Sequence, residues 1–284
     1  SKQGFDMTLG EDAYIYYAFS ENYDITIKKL NSSGIEEWSS QAVTNSADDI
    51  IKAIYPSAGS GCVIIYEAKG LGITHIYTLT VDGNGNVISG PTLISDLSGY
   101  QAGQKVESSS LVEGGIFVSF IDRSVEGNWD IYGQYIKNGQ LMSGSSGIPI
   151  ASGSYDQQSS SLAYNQNEDE VLVCYEEVTD GQETDIHCKE IKLSDQSISE
   201  GIIISANTNN QNAPNVYWSG TSYLLAWEDA RNSLGTEFDI YFQEYKNDGL
   251  TSLDGGTALC TFSHKQEKPL IAKYSDTDNS YIII

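Results

Sequence analysis

A short element that begins with Asp-Ile-Tyr, or a close variant of it, recurs along the chain and is the feature that most constrains the fold. Its copies begin at Asp24, His75, Asp130, Asp185 and Asp239. An aromatic residue ends the apolar segment before each copy, and these residues are Phe19, Tyr66, Phe120, Tyr175 and Trp227. A polar turn follows each copy. Because these landmarks recur together at a spacing of roughly 50 residues, the pattern indicates a repeat architecture.

Each repeat reads as four short strands. The first is mixed, the second is the most apolar, the third alternates from Asp-Ile-Tyr onward, and the fourth follows the polar turn. We therefore predict an all-β fold, a β-propeller of four-stranded antiparallel blades with five full repeats and a partial sixth. The predicted repeats span residues 1–46, 47–102, 103–154, 155–207, 208–262 and, in part, 263–284 of a single propeller domain. The last repeat contains only half a unit, so either its two strands complete the ring or the chain is a fragment of a longer protein. We favour the fragment, because a blade without its outer strands leaves an open edge.

The repetition favours structural roles for its most regular residues. We expect Trp227 and its equivalents to pack between neighbouring blades. The aspartates that open the third strand, Asp24, Asp130, Asp185 and Asp239, can accept hydrogen bonds from backbone N–H groups of the preceding loop, as Asx turns do.

The charge of the chain excludes some partners. Its formal net charge is −24 at neutral pH. A surface this acidic repels phosphate backbones and anionic membranes, so we expect no nucleic-acid partner. We also expect no membrane insertion, since no apolar run approaches the roughly 18 residues that a spanning helix needs.

The chain contains four cysteines, none of them in a C-x-x-C pair, so a zinc site is not expected. Cys174 and Cys188 are equidistant from the Asp180-Gly181 turn. In a simple hairpin they would lie opposite each other, which permits a disulfide but does not require one, because free buried thiols are common.

Catalytic candidates come from the first strands, which line the channel of a propeller. Acids in or beside these strands are Asp6, Asp49, Glu107, Asp156 and Glu267, and only Asp6 and Glu107 lie within a strand proper. A glycosidase would need two such carboxylates about 5–9.5 Å apart. The pattern contains no singular acidic cluster, which argues against catalysis.

No cofactor is expected. The segment "VDGNGN" at 81–86 resembles the start of a calcium loop, but Leu93 stands where the twelfth ligand should be an acid. A hairpin turn is the favoured interpretation, and calcium is the weaker alternative.

The combination of aromatic, acid, Asp-Ile-Tyr and glycine turn resembles the repeats of secreted or cell-surface bacterial β-propeller proteins, of the form W-x-D-x-R…D-I-Y-x-Q. The best copy here contains Trp227, Asp229, Arg231, Asp239, Ile240, Tyr241 and Gln243. The resemblance covers most of the chain but is patchy in the first two repeats, where His75 replaces the aspartate and the arginine is missing. It implies an extracellular or cell-surface location, often beside enzymatic or adhesive domains, and it implies fold better than activity.

From these observations we predict a non-catalytic interaction or scaffold module that binds protein or carbohydrate through one loop face. The residues proposed to contact a ligand are Trp129, Phe238, Arg123 and Arg231, with Trp129 and Phe238 expected to be exposed. For the two aromatic residues, packing within their loops remains the other interpretation. The alternative function is a glycan-active hydrolase with a carboxylate pair at the channel, or a propeller appended to a peptidase.

Overall fold

A computed structural model gives the fold. It describes residues 2–44, 48–70, 73–97, 101–111, 115–123, 127–179, 183–232, 237–246, 249–252, 255–275 and 280–284. For residues 2, 3, 73 and 101–110 it describes the backbone alone. All the regular structure in this part of the chain is β-strand.

The first two repeats each form one antiparallel sheet whose strands follow chain order. Blade 1 comprises β1 (Lys2–Leu9), β2 (Ile15–Glu21), β3 (Asp24–Leu30) and β4 (Glu36–Val43). Blade 2 comprises β5 (Asp48–Pro56), β6 (Cys62–Gly70), β7 (Ile73–Val81) and β8 (Val87–Leu93).

The later repeats follow the same order, with the outer strand in two pieces in blades 3 and 5. Blade 3 comprises β9 (Gln101–Ser110), β10 (Gly115–Asp122), β11 (Asp130–Lys137), β12 (Gln140–Leu141) and β13 (Ile148–Ala151). Blade 4 comprises β14 (Gln157–Asn165), β15 (Glu170–Val178), β16 (Thr184–Lys192) and β17 (Ile202–Ser205). Blade 5 comprises β18 (Gln211–Trp218), β19 (Tyr223–Asp229), β20 (Asp239–Lys246), β21 (Gly249–Leu250) and β22 (Thr257–Cys260), and a partial sixth sheet comprises β23 (Ile271–Ser275) and β24 (Ser280–Ile283).

The chain divides into two compact units. Unit 1 contains residues 1–126 and 133–148, and unit 2 contains residues 127–132 and 149–284. In each unit the core lies between successive sheets. In unit 1 it joins residues such as Ile25 and Ile27 of blade 1 to Ile64 and Tyr66 of blade 2.

The core of unit 2 shows why the second strand of each repeat is the most apolar. Leu172 and Ile186 of blade 4 pack with Leu225, Trp227 and Tyr241 of blade 5 in one buried cluster. The aromatic positions of all five repeats are at most 7% exposed. An apolar second strand is required because it lies inside its sheet and is covered on both faces.

A disulfide joins Cys174 and Cys188, which are direct partners in the antiparallel pairing of β15 and β16. Both sulfurs belong to the buried cluster between blades 4 and 5. The register Val178↔Thr184 leaves a short connection between these strands. The disulfide therefore ties together the central pair of strands in blade 4.

The segment 81–86 forms a hairpin turn between β7 and β8. The Asp82 carboxylate accepts hydrogen bonds from the backbone N–H groups of Asn84 and Asn86, each at 2.9 Å. The side-chain and backbone hydrogen bonds from Asn86 hold the pKa of Asp82 below its usual range. These bonds account for the aspartate and asparagines of this segment as turn residues.

Candidate active site

One end of every blade collects polar side chains. It is the end where the first strand begins, the second ends and the third begins, and we call it the polar end. In blade 4 the register pairs Gln157 with Glu177 and Glu177 with Asp185. In antiparallel sheets, directly paired residues project from the same face with Cβ atoms about 4.5–5.5 Å apart. Gln157, Glu177 and Asp185 therefore form a row of polar side chains, the blade-4 row.

The blade-4 row has few internal hydrogen bonds. Gln157 is 2% exposed, and its amide nitrogen donates to the Tyr155 carbonyl at 2.7 Å. Its Oε1 atom is buried without a hydrogen-bond partner among the described residues. Glu177 and Asp185 are half-buried. Within the described part of the chain, no hydrogen bond reaches either carboxylate, so the row retains acceptors that a bound molecule can use.

The two carboxylates of this row have different surroundings. Burial raises the pKa of Asp185 above its usual range, and the carboxylates of Glu183 and Glu177 raise it further, whereas His187 lowers it. His187 follows on the same face of β16 and pairs with Tyr175, with ring centroids 6.2 Å apart. A carboxyl group with a raised pKa next to a second carboxylate is a common arrangement at catalytic sites.

Trp129 and Asp156 flank the row. The backbone N–H of Trp129 donates to Asp156 Oδ1 at 2.9 Å, and the Gln157 N–H donates to the Trp129 carbonyl at 2.6 Å. The Asp156 carbonyl also accepts the Val178 N–H at 2.9 Å. These bonds fix the half-buried Trp129 beside the start of β14, next to the blade-4 row.

Blade 5 carries a row in the same register, formed by Gln211, Asp229 and Asp239. Here the carboxylates have partners. Asp229 is 1% exposed and accepts hydrogen bonds from Arg231 Nε at 2.9 Å, Arg231 Nη2 at 2.6 Å and Trp227 Nε1 at 2.9 Å. The Asn232 side chain donates to Asp239 at 3.3 Å.

Arg231, predicted to contact a ligand, is instead held by groups of blades 4 and 5. Its guanidinium donates to Ser205 Oγ and to the Gly255 carbonyl, and it lies 3.9 Å from the centre of the Tyr241 ring. Phe238, predicted to be exposed, is only 8% exposed, and Lys265 Nζ lies 5.1 Å from its ring centre. Both corrections have a similar cause, because each side chain is used in contacts within the protein. Arg123 is exposed, as a ligand contact would be.

Asp6, a predicted catalytic candidate, has both carboxylate oxygens engaged by the backbone. Oδ1 accepts the Met7 N–H at 2.8 Å, and Oδ2 accepts the Ile54 N–H of the next blade at 3.0 Å. The corresponding residues of later repeats make the same bond to the next first strand: Ser161 to Val216 at 3.2 Å and Asn215 to Ile271 at 2.9 Å. Asp6 is thus one member of a repeated contact between blades. Glu107 lies in β9 opposite Ser119, and its side chain is outside the described residues.

Acids that follow the repeated aromatic also have structural roles. Glu176 accepts the Ala213 N–H and Glu228 accepts the Lys268 N–H, each at 2.8 Å. Ala213 and Lys268 have positive φ values of 49° and 56°. These glutamates therefore satisfy the backbone at irregular points of the following first strand.

The repeated glutamine is a signal that the sequence interpretation missed. Gln101, Gln157 and Gln211 each pair with the last acid of the second strand, namely Asp122, Glu177 and Asp229. The proposed Asx-type bonds of Asp24, Asp130, Asp185 and Asp239 stay a prediction, and for the last three aspartates parts of the loops concerned lie outside the described residues.

The comparisons with known proteins define the fold class first. The sequence matches no protein-family model and no curated protein sequence. Solved structures do match, and together with the successive four-stranded sheets they show that the chain is a β-propeller, which confirms the prediction from the repeat.

The similar structures are of proteins that act on carbohydrates. An α-L-arabinanase of Penicillium chrysogenum, complexed with arabinobiose, matches with a TM-score of 0.54 and 10% identity over 98% of this chain and 86% of its own. A GH93 α-L-arabinofuranosidase of Fusarium graminearum, also with arabinobiose, matches with a TM-score of 0.54 and 11% identity over 96% and 84%. A PL25 ulvan lyase matches with a TM-score of 0.56 and 9% identity over 93% and 73%.

At these identities the similarity shows the fold alone. It nevertheless corrects the functional prediction. The prediction of a non-catalytic interaction or scaffold module is contradicted, because these neighbours are enzymes that act on glycans. Within the described residues, no helix has the length and apolar character that a membrane crossing requires. In that same part of the chain, no three His, Cys, Asp or Glu side chains are grouped to hold a metal ion.

Proposed function

We propose that the chain is a glycan-active hydrolase whose reacting carboxylates are Glu177 and Asp185. The observation that carries the proposal is their direct pairing across β15 and β16 at the polar end of blade 4. Directly paired positions place Cβ atoms about 4.5–5.5 Å apart. Retaining glycosidases hold their two carboxyl groups about 5–5.5 Å apart, a separation that side chains on directly paired positions can reach.

The electrostatics assign the two roles. Asp185 has a raised pKa, mainly through burial, so its protonated form is available to donate a proton. In the first step Asp185 protonates the glycosidic oxygen while the Glu177 carboxylate attacks the anomeric carbon, and the leaving sugar departs with the proton. In the second step the Asp185 carboxylate takes a proton from water, and that water displaces Glu177 and releases the second sugar.

The surroundings suit a sugar substrate. The backbone of the half-buried Trp129 is bonded to Asp156 and Gln157 at the start of the row, and Gln157 Oε1 is an acceptor without a partner among the described residues. Aromatic rings with a few placed polar groups are typical of small-ligand sites. The similarity in fold to enzymes complexed with arabinobiose makes arabinan the first substrate to test. The expected extracellular or cell-surface location remains a prediction and is consistent with a polysaccharide substrate.

The test is release of reducing ends from arabinan and from a panel of neutral polysaccharides by the full chain. We expect Glu177→Gln and Asp185→Asn each to lower kcat at least about 100-fold, as loss of a general acid or a nucleophile does. The matched control is Glu168→Gln, an exposed acid at the opposite end of blade 4, which should keep full activity. Equal rates for wild type and both row variants would contradict the proposal. Inversion at the anomeric carbon, measured by NMR, would contradict a nucleophilic Glu177.

A further inference from the structure

Blade 2 has a cavity at the position that corresponds to the blade-4 row. In blade 2 the pair Tyr66↔Tyr77 stands where Tyr175↔His187 stands in blade 4, and Ala68↔His75 stands where Glu177↔Asp185 stands. The cavity has a volume of approximately 410 Å³. It is lined by Tyr66, Ala68, Tyr77 and Pro91 of blade 2 and by residues 42–44 at the end of β4.

The lining is aromatic and nearly uncharged. The rings of Tyr66 and Tyr77 are stacked with centroids 5.5 Å apart and an interplanar angle of 20°. Around them the lining is completed by small or apolar side chains and the Thr44 hydroxyl. His75 lies on the same face one pair further along, and its Nδ1 atom is buried without a hydrogen-bond partner among the described residues. The site thus combines an aromatic surface with a few polar groups.

Size and charge define the ligand. A volume of 410 Å³ lies in the lower part of the range of about 300–1,000 Å³ that small-ligand sites span. A chain with net charge −24 repels polyanionic sugars. A neutral sugar of one or two rings presents a C–H face for the half-buried Tyr77 ring, which packs on the buried Tyr66. Its hydroxyl groups can meet Thr44 at the cavity and His75 one pair further along.

We propose that this cavity is a second glycan-binding site, which holds a neutral mono- or disaccharide unit without cleaving it. Ala68 and His75 replace the two carboxylates of blade 4, and the one acid of this row, the buried Asp49 opposite Ala68, has no second carboxylate in the row to form the pair that hydrolysis needs. The inference shares with the proposed function the premise of a glycan ligand, but it uses none of the catalytic residues. Its role is to hold a polysaccharide at a point separate from the bond that is cut.

Calorimetric titration of the full chain in the Glu177→Gln background tests the site, because that variant should not consume the sugar. The probes are arabinobiose, xylobiose and cellobiose. We expect Tyr77→Ala to weaken binding of at least one probe by 10-fold or more, because it removes the accessible ring of the stacked pair. Tyr77→Phe keeps the ring and should stay within about threefold of the parent.

A second variant tests the same site in case Tyr77→Ala does not fold. Thr44 is exposed at the rim of the cavity, so Thr44→Arg should fold normally and place its guanidinium over the Tyr77 ring. We expect it to remove the same binding event as Tyr77→Ala. Unchanged stoichiometry and affinity in both variants, or no saturable binding of any probe, would overturn the second site. Failure of the proposed function is seen separately, as absence of hydrolysis by the wild-type chain.

Discussion

The polar ends of blades 4 and 5 share one register and use their acids in different ways. Each has a glutamine on the first strand, an acid at the end of the second and an aspartate at the start of the third. In blade 5 the central acid, Asp229, is enclosed by Arg231 and Trp227. In blade 4 the central acid, Glu177, has neither partner, because Thr179 and Tyr175 stand at the equivalent positions.

In these two blades, the residue two positions after the central acid decides whether that acid is held by protein groups or is open to a bound molecule. The Arg231 guanidinium reaches Asp229, Ser205 and the Gly255 carbonyl at once, so it ties three segments together. A bidentate arginine–carboxylate pair of this kind is strong and geometrically specific. Without it, blade 4 keeps an acid pair that is partly exposed and has no protein donor among the described residues.

Removal of the arginine should have the largest effect on stability. Arg231→Ala leaves the Asp229 carboxylate buried without its main counter-ion. We expect the free energy of unfolding to fall by roughly 3–5 kcal/mol, as it does when one partner of a buried ion pair is lost. Chemical denaturation followed by tryptophan fluorescence measures this change.

The matched control for that experiment is Arg123→Ala, which removes the exposed arginine after the corresponding acid of blade 3. It should cost no more than about 0.5 kcal/mol, as surface substitutions do. Similar losses of unfolding free energy in the two variants would show that the buried Arg231–Asp229 pair stabilises the fold no more than an exposed arginine does.

Transfer of the arginine to blade 4 should have an intermediate effect on stability and a large effect on activity. The double variant Thr179→Arg and His187→Tyr reproduces Arg231 and Tyr241 of blade 5 beside Glu177. We expect a gain of about 1 kcal/mol in the free energy of unfolding, since charge-assisted pairs of this kind are stabilising. Because the guanidinium neutralises Glu177, hydrolysis should fall at least about 100-fold.

Two single variants serve as controls for the transfer. Thr179→Lys places a charge in the same loop but cannot bind both carboxylate oxygens, and His187→Tyr changes only the ring. Both should keep more activity than the double variant. A wild-type rate of hydrolysis in the double variant would contradict the proposed role of Glu177, because it would show that this carboxylate does not react.

The sequence allowed the fold to be predicted because its signals are local. Each repeat carries its own apolar second strand and its own turn, so the blades follow from residues within about 50 positions of one another. The disulfide partners were also suggested locally, by their equal distances from the turn at Asp180. Their direct pairing in β15 and β16 follows from that short hairpin.

The site depended on contacts between distant residues, which the pattern does not reveal. Asp6 was proposed as catalytic because it lies in a channel-lining strand, but its Oδ2 atom meets a backbone N–H 48 residues away. Arg231 was proposed to bind a ligand, but the groups that hold it include Ser205, 26 positions away. Glu177 was passed over because an acid recurs at its position. It differs from Asp229 in lacking an arginine partner and from Asp122 in being partly exposed.

The smallest expected effect concerns the pH dependence of blade 4. Burial and the carboxylates of Glu183 and Glu177 raise the pKa of Asp185 in the folded chain, although His187 opposes them. The folded state therefore binds the Asp185 proton more tightly than the unfolded state, and stability decreases as the pH rises from about 4 through the folded pKa. Asp185→Asn removes this loss, so its Tm should equal that of wild type near pH 3 and exceed it by about 2 °C at pH 7.

In blade 5, Asp239→Asn should show no such gain, because the Asn232 amide donates to Asp239. The measurement is thermal unfolding of both variants at pH 3 and pH 7. If Asp185→Asn raised the Tm by the same amount at both pH values, the charge of Asp185 would not be the cause of the stabilisation.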